Sequence, residues 1–412
     1  MAKQEPAYDN SSTTFPPFTD FGGKEFHNAS FRGVVFKGKV GFQKTRFTGI
    51  TDFSGAIFEG PSDFTEAQFS GDAIFRQATF GEPAKFNHCD FAGKADFATA
   101  RFAHDAHFSH TVFRGDAEFG NAQFHAWGLF DSSRFESSMT FEESVFFGSA
   151  NFTAVEFATD ARFGKARFIA YADFQKARFH SRALFQNASI ECKTLFREVK
   201  FAKEANFTDC RFTHPVNFAL ADFQASATFE RVIFMQFVDF SKAHLADSFL
   251  LAPPRGNEGL APEMRFESVT IDHPERVLFS NISFEKITLM DTRLRGIRFE
   301  NPRWPKRGLF HKRAVVYDEI QKEKPDPAKL AQLYRDIRAN LRMAGVTTDL
   351  GDLFYSEMEV RRKQRRAGAD PLYFYRRYLS PYTLLWLTCG YGRRPLRAAI
   401  TALLAGGLLY FR

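Results

Sequence analysis

Residues 95–108 read ADFATARFAHDAHF, and this stretch contains the spacing that decides the fold. Its three phenylalanines, Phe97, Phe102 and Phe108, are separated by five and then six residues. The same alternation runs from Phe42 to Leu245, and only Ile190 and Leu245 replace phenylalanine. Phenylalanine accounts for 53 of the 412 residues, against 11 tyrosines and 3 tryptophans. One apolar residue used this often indicates a single structural position that is repeated many times.

A small residue precedes most of these phenylalanines by two positions, as Ala95, Ala100 and Ala106 do. Residues two apart lie on the same side of an extended segment, whereas they lie on different faces of a helix. The residues between and after them are polar or charged, as Asp96 and Arg101 are. Each unit is therefore predicted to be a very short strand with one inward face, followed by a corner.

Short strands with a single inward face cannot each bury a core alone, but stacked coils share one interior. Four sides make a coil of 22 residues, so each phenylalanine is expected to stack on the one 22 residues later. This predicts an all-β solenoid over residues 15–304, with ten or eleven coils up to Leu245. A Pro/Gly-rich excursion at 251–264 interrupts it, and Trp304 is expected to close the stack.

Several triplets resemble the repeat unit of the pentapeptide-repeat family, in which a small residue and Asp or Asn precede a central Leu or Phe. The matching triplets are Ala95-Asp96-Phe97, Ala150-Asn151-Phe152, Ala172-Asp173-Phe174 and Ala205-Asn206-Phe207. The resemblance implies a right-handed quadrilateral β-helix, and the alternating step is similar to a Phe-rich variant. It implies little about function, because this fold serves many roles.

The chain contains no pattern typical of an enzyme or a metal centre. Its four cysteines lack CxxC spacing, and no Ser/His/Asp set, carboxylate pair or glycine-rich phosphate loop emerges. His88, His104, His107 and His110 fall at outward positions, and we interpret them as solvated side chains rather than metal ligands. We therefore predict no catalytic, cofactor or metal site. The polar segment 1–14 has no apolar signal core and is predicted to be disordered.

The charge distribution argues against nucleic-acid mimicry or binding by the solenoid. The net charge of the chain is +7, but residues 301–412 contribute +12 and residues 1–300 only −5. A DNA mimic needs a long surface of one sign. One outward column instead mixes signs, because it runs through Arg46, Gln68, Asp90, Val112 and Arg134. A DNA-mimic protein that binds topoisomerase is therefore the weakest alternative, and no specific nucleic acid is expected.

Helical signals replace the five-residue rhythm after residue 310. Asp326 and Pro327 are typical of a helix start, and Gly345 of a helix end. Apolar residues recur at steps of three and four on both sides of Gly345. A helical hairpin is therefore predicted over residues 310–370, and it is expected to cap the solenoid.

Residues 371–412 are predicted to form an interfacial helix and a membrane anchor. The run Ala398–Phe411 is uncharged, and with residues 395–397 it reaches a marginal bilayer span. Basic and aromatic residues precede this run, and we expect them to contact anionic lipid headgroups or the membrane–water interface. The predicted membrane-surface residues are Arg361, Arg362, Lys363, Arg365, Arg366, Arg376, Arg377, Trp386, Arg393, Arg394 and Arg397.

This tail is similar to that of bacterial membrane-anchored pentapeptide-repeat proteins, some of which continue into an ion-channel module. The resulting hypothesis is a non-enzymatic scaffold at the plasma membrane, with its β-helix in the cytoplasm. Its protein partners are unidentified, and its C-terminal region can support oligomers. Two alternatives stay open: a regulatory domain of a channel whose pore lies beyond Arg412, and a soluble C-terminal helix packed on a partner. Residues 388–392, TCGYG, resemble a potassium filter, but the adjacent Arg393 and Arg394 favour a simple turn.

Overall fold

A computed structural model describes residues 8–254, 262–308, 313–321, 325–366, 381–392 and 395–410. The chain divides into two compact units, Met1–Pro262 and Glu263–Arg412. The division falls inside the excursion predicted at 251–264, where the phenylalanine rhythm stops.

Successive strands of the first unit belong in turn to four parallel sheets, which we call faces 1 to 4. Each strand pairs with the strand one coil later, so that Ala73 lies beside Ala95 and Phe80 beside Phe102. This register equals the 22-residue repeat predicted from the phenylalanine spacing. The fold prediction of a parallel β-solenoid followed by helices is confirmed.

The strands are two to four residues long, and each face contributes one to every coil. Face 1 contains Tyr8–Asp9, Ala29–Ser30, Thr51–Asp52, Ala73–Ile74, Ala95–Asp96, Ala117–Glu118, Met139–Thr140, Ala161–Arg162, Ala183–Leu184, Ala205–Asn206, Ala227–Glu230 and Phe249–Ala252. Face 2 contains Thr14–Phe15, Val35–Phe36, Ile57–Phe58, Thr79–Phe80, Arg101–Phe102, Gln123–Phe124, Val145–Phe146, Arg167–Phe168, Ser189–Ile190, Arg211–Phe212 and Ile233–Phe234.

The other two faces follow the same spacing. Face 3 contains Phe18–Asp20, Lys39–Gly41, Ser62–Asp63, Ala84–Lys85, Ala106–His107, Gly128–Leu129, Ser149–Asn151, Tyr171–Asp173, Lys193–Leu195, Val216–Asn217 and Val238–Asp239. Face 4 contains Glu25–Phe26, Arg46–Phe47, Gln68–Phe69, Asp90–Phe91, Val112–Phe113, Arg134–Phe135, Glu156–Phe157, Arg178–Phe179, Lys200–Phe201, Asp222–Phe223 and His244–Leu245.

The interior of the first unit consists of stacked phenylalanine rings beside small residues. The ring of Phe97 lies parallel to that of Phe75, with centroids 4.7 Å apart, and to that of Phe119 at 5.0 Å. It also meets Phe108 edge-on, at 5.2 Å and 87°. Ala95 and Phe97 are both fully buried, as the inward pattern predicted. Parallel ladders and edge-on contacts are both favourable arrangements for aromatic quadrupoles.

Two kinds of corner explain why the steps alternate between five and six residues. In most five-residue steps, the second residue after phenylalanine adopts a left-handed backbone, with φ of 56° at Lys44, 57° at His88 and 56° at Ala154. The following N–H then donates to the phenylalanine carbonyl, as Ala166 does to Phe163 at 3.1 Å. The corners with six-residue steps need no such conformation.

The predicted disordered tail, residues 1–14, is ordered from Tyr8 onward. Tyr8–Asp9 pairs with Ala29–Ser30, and the Tyr8 ring lies 4.8 Å from that of Phe26. The boundary was therefore wrong, because a tyrosine outside the phenylalanine spacing packs on the first aromatic rings.

The second unit contains short strands and four described helices. Its strands are Met264–Arg265, Thr270–Ile271, Val277–Ser280, Ile287–Thr288, Arg298–Glu300, Lys306–Arg307 and Arg313–Ala314, and its single 3₁₀ turns are Pro274–Arg276, Phe284–Lys286 and Tyr317–Glu319. The helices are α1 (Pro327–Met343), α2 (Leu350–Arg366), α3 (Pro381–Cys389) and α4 (Pro395–Tyr410). Met264–Arg265 pairs in parallel with Ile287–Thr288, and Val277–Ser280 with Arg298–Glu300, so coil geometry resumes as predicted.

Candidate functional site

Trp304 ends the coils of the second unit, and two short antiparallel strands separate it from the first helix. The Trp304 ring is almost completely buried and stacks on Phe284 with centroids 4.5 Å apart. It covers the last aromatic rings, as predicted. Asn340 of α1 adds a polar contact, because its amide donates to the Leu294 carbonyl at 2.6 Å and accepts from Gly296 N–H at 2.8 Å. The first helix is thereby fixed to the last coil of this unit.

Asp318 provides a second attachment to the same coil. Its buried carboxylate accepts backbone N–H groups from Leu289 and Met290, each at 3.0 Å. Burial outweighs these hydrogen bonds and raises the pKa of Asp318 to about 6. The carboxyl group of Asp318 therefore changes its charge at a pH close to 6.

Helices α1 and α2 pack against each other around the buried carboxylate of Glu357. Its side chain is 2% exposed, and it forms ion pairs with Arg338 of α1 and Arg361 of α2. Arg335 approaches it at 4.0 Å, and the Arg338 guanidinium lies 4.6 Å from the centroid of Phe354. The carboxylate of Glu357 thus contacts three arginines, so these four side chains together carry excess positive charge.

Trp386 of α3 joins the hairpin of α1 and α2 to the last two helices. Its indole lies between two guanidinium groups, 4.5 Å from Arg362 and 5.1 Å from Arg397, and its N–H donates to the Tyr355 hydroxyl at 3.1 Å. Arg362 is itself buried and paired with Glu359 at 2.8 Å. Cation–π contacts of this kind are strengthened when the cation is desolvated.

Helices α3 and α4 form a hairpin with an exposed apolar surface, which we call the leucine surface. Thr401 donates to the Thr388 carbonyl at 3.1 Å, and Arg397 to that of Trp386 at 3.3 Å. The turn predicted at 388–392 is confirmed, with φ of 53° at Gly390 and 56° at Tyr391. The members of the leucine surface are 44–75% exposed: Leu384, Leu385, Leu387, Ile400, Leu403 and Leu404.

These helices are short. Helix α3 has 9 residues and α4 has 16. Among the described residues, no helix combines the length and the apolar character that a bilayer crossing requires.

The predicted membrane-surface residues occupy different environments. Arg361 and Arg362 pair with Glu357 and Glu359, whereas Lys363 is exposed. Arg365 and Arg366 end α2, Trp386 lies in α3, and Arg397 lies in the first turn of α4. Arg376, Arg377, Arg393 and Arg394 lie outside the described residues. The lipid-contact role of the set stays a prediction.

Sequence reasoning missed the two glutamates and the leucine surface. The ion pairs within α2 have helical spacing, since Glu357 precedes Arg361 by four residues and Glu359 precedes Arg362 by three. That spacing is the signal that could have found them. The leucines had no comparable signal, because an apolar helix shows its exposed side only after its packing is known.

Histidines and cysteines of the first unit show no arrangement for chemistry. The rings of His88 and His110 stack at 5.0 Å on adjacent coils. Over the described residues, no group of three or more His, Cys, Asp or Glu side chains is placed to hold a metal ion. Cys89 and Cys210 occupy small inward positions, and burial raises the pKa of both thiols.

The similarity of this chain to known proteins lies in its repeats. A family model described as pentapeptide repeats (9 copies) matches residues 19–68, 64–112, 130–178, 141–189, 174–220 and 196–244. No curated protein and no solved structure matches the chain. The matched segments together cover slightly more than half of the 412 residues, and they coincide with the stacked coils. The chain therefore belongs to the pentapeptide-repeat family, whose solenoid is typically a structural or protein-interaction module.

Proposed function

We propose that this protein is a non-enzymatic scaffold that attaches to a lipid bilayer through the leucine surface and offers its β-helix to protein partners. The observation that carries the proposal is the exposure of six large aliphatic side chains on two adjacent short helices. Single exposed apolar side chains are common on soluble proteins, but six of them on two short adjacent helices are unusual.

The dimensions favour shallow insertion into one leaflet. A helix of 16 residues such as α4 is about 24 Å long, whereas the hydrocarbon core is about 30 Å thick. Apolar helices that lie in the interface bury about 5–10 Å into the boundary between headgroups and acyl chains. Each large aliphatic side chain contributes about 1.5–3 kcal/mol when it is fully buried. Six partly exposed ones therefore supply several kcal/mol, which is enough for reversible attachment.

Positive charge adds to this attraction. No acidic residue occurs between Pro381 and Arg412, whereas Arg393, Arg394 and Arg397 flank the turn between the helices. Lys363 is exposed at the end of α2. Basic residues near an anionic surface contribute about 1 kcal/mol each. We place the protein at the cytoplasmic side of a bacterial plasma membrane, with the β-helix in the cytoplasm, because the anionic lipids of that leaflet attract basic residues.

Vesicle flotation tests the attachment. The full chain is mixed with phosphatidylcholine vesicles containing one-fifth phosphatidylserine, and the floated fraction is compared with that of the triple variant Leu387→Gln/Leu403→Gln/Leu404→Gln. The matched control is Ile50→Gln/Ile57→Gln/Met235→Gln, which removes three exposed apolar side chains of the first unit. We expect the parent and the control to float and the leucine variant to stay at the bottom. Equal flotation of both variants, or no flotation of the parent, would reject attachment through this surface.

A further inference from the structure

Face 3 of the solenoid carries an unusual outer surface over four successive coils. Its inward residues are Ala106, Gly128, Ala150 and Ala172, which are buried like those of every other face. On the outside, Trp127 is 48% exposed, and Leu129 and Tyr171 are partly exposed. The strand register places these rows directly above one another, since His107 pairs with Leu129 and Asn151 with Asp173. Trp127 and Leu129 therefore lie on one coil, and Tyr171 lies two coils further along the same face, beyond Ser149.

Three aspartates surround these side chains without a cationic partner. Asp105 accepts the backbone N–H of Trp127 at 3.1 Å, and Asp131 accepts the hydroxyl of Ser109 at 2.7 Å. Asp173 accepts the Tyr171 hydroxyl at 3.1 Å. These donors are all neutral, and within residues 8–254 no ion pair involves any of the three carboxylates.

Elsewhere on the solenoid, several acidic residues are paired with arginines of the next coil. Asp90 binds Arg114 at 2.9 Å, Asp160 binds Arg182, and Asp209 binds Arg231 at 2.7 Å. On face 3, no lysine or arginine occurs in the four strands from Ala106–His107 to Tyr171–Asp173, and the next cations of the face are Lys85 and Lys193. Burial also lowers the pKa of His107, which keeps this central side chain neutral near pH 7.

We propose that this surface, formed by Asp105, Trp127, Leu129, Asp131, Tyr171 and Asp173, binds a short arginine-containing segment of a partner protein. The three carboxylates attract positive charge, and the exposed indole accepts a guanidinium group over its face. Arginine fits better than lysine, because its planar group stacks on aromatic rings and forms paired hydrogen bonds with carboxylates. The inference rests on the proposed scaffold role, but it is independent of membrane attachment.

The small area of the surface favours a short peptide segment over a folded domain as the partner. Three coil steps span about 14 Å, and the outward positions of one side span about 13 Å. A stable interface between globular proteins needs about 800 Å² from each partner, which is several times this area. An extended segment of four or five residues is about 15 Å long and covers the surface from one edge to the other.

Fluorescence polarisation with a labelled nona-arginine peptide tests the proposal on the full chain, with nona-lysine and nona-glutamate peptides as comparisons. The variant Asp105→Asn/Asp131→Asn/Asp173→Asn keeps the side-chain size and one acceptor oxygen at each position but removes three charges. Its control, Asp52→Asn/Glu142→Gln/Glu204→Gln, removes the same charge along face 1. We expect nona-arginine to bind more tightly than nona-lysine, and nona-glutamate not to bind.

The variants give two separate readouts. The face 3 variant should weaken nona-arginine binding about tenfold more than the face 1 control, and Trp127→Ala should weaken it about threefold. Circular dichroism should show that all variants remain folded, because none of these changes touches an inward residue. Equal binding by the two charge variants, or unchanged binding by Trp127→Ala, would overturn the proposal. Vesicle flotation should be the same for all of them, so failure here is distinguishable from failure of the attachment.

Discussion

Replacement of Phe97 by alanine is expected to destabilise the solenoid more than almost any other single change. Its ring is fully buried between two parallel neighbours, at 4.7 Å from Phe75 and 5.0 Å from Phe119. Four further rings complete the surroundings: Phe86 at 5.3 Å, Phe108 at 5.2 Å, Phe91 at 6.1 Å and Phe102 at 6.3 Å. Alanine would leave a ring-sized cavity that is walled by other rigid rings, and these cannot collapse into it.

The expected loss follows from the packing. A buried Phe→Ala change costs about 3–5 kcal/mol, and the cost is highest where the site cannot relax. Six aromatic neighbours place Phe97→Ala at the upper end, at about 5 kcal/mol. Phe97→Leu keeps most of the volume and loses mainly the ring contacts, so it should cost about 1.5 kcal/mol. Phe18→Ala should change the stability by less than about 0.5 kcal/mol, because that side chain is 67% exposed.

Urea unfolding and hydrogen exchange together test this prediction. Each coil contacts only its neighbours, so a defect in one coil should speed amide exchange most in the strands near residues 75–119. The unfolding free energies should follow the order Phe18→Ala, Phe97→Leu and Phe97→Ala, from smallest loss to largest. If Phe97→Ala cost no more than Phe97→Leu, the aromatic ladder would not be the main source of stability.

Three further predictions concern single groups. Glu357→Gln should cost about 3–5 kcal/mol in urea unfolding, because Arg335, Arg338 and Arg361 would lose the buried carboxylate that neutralises them; a loss below about 1 kcal/mol would contradict this. For Asp318, the native pKa of about 6 exceeds the value of 3.8 in the unfolded chain, so the native state binds more protons between these values and stability falls as pH rises from about 4 to 6. Relative to Asp318→Asn, the parent should lose about 3 kcal/mol over that range, and parallel pH profiles of the two proteins would refute the effect. Ala154→Gly should raise the melting temperature, because it relieves about 1 kcal/mol of left-handed backbone strain. Ala150→Gly, at a buried inward position, should lower the melting temperature. A decrease for both variants would show that the corner at Ala154 is not strained.

The solenoid could be predicted because its interior accepts only one arrangement of side-chain sizes. Ala95 and Phe97 occupy inward positions that recur every 22 residues, and shifting the register by one residue would expose them. The corners could not be predicted in the same way. Lys44, His88 and Ala154 share a left-handed backbone but no side-chain chemistry, so their conformation is imposed by the coil above and below.

The candidate site was predictable only in part, because its charges depend on packing. The basic residues after Arg361 suggested a uniform lipid-facing cluster, but the structure pairs Arg361 and Arg362 with glutamates of their own helix. Trp386 was predicted to contact a membrane surface, and the structure adds that its ring lies against the guanidinium groups of Arg362 and Arg397. A sequence shows which charges are present, whereas the net charge of a surface depends on which of them are neutralised by neighbours.

The repeat itself explains where function must reside in such a protein. Inward positions are restricted to small residues and phenylalanine, so they carry stability and almost no specificity. Outward positions tolerate most side chains, and a functional surface therefore stands out as a departure from the usual cross-coil ion pairs. The aromatic and acidic surface around Trp127 is such a departure, whereas the leucine surface of α3 and α4 lies outside the repeats. Because neither contains an inward residue of the first unit, a variant of either surface should remove one interaction and leave the other intact.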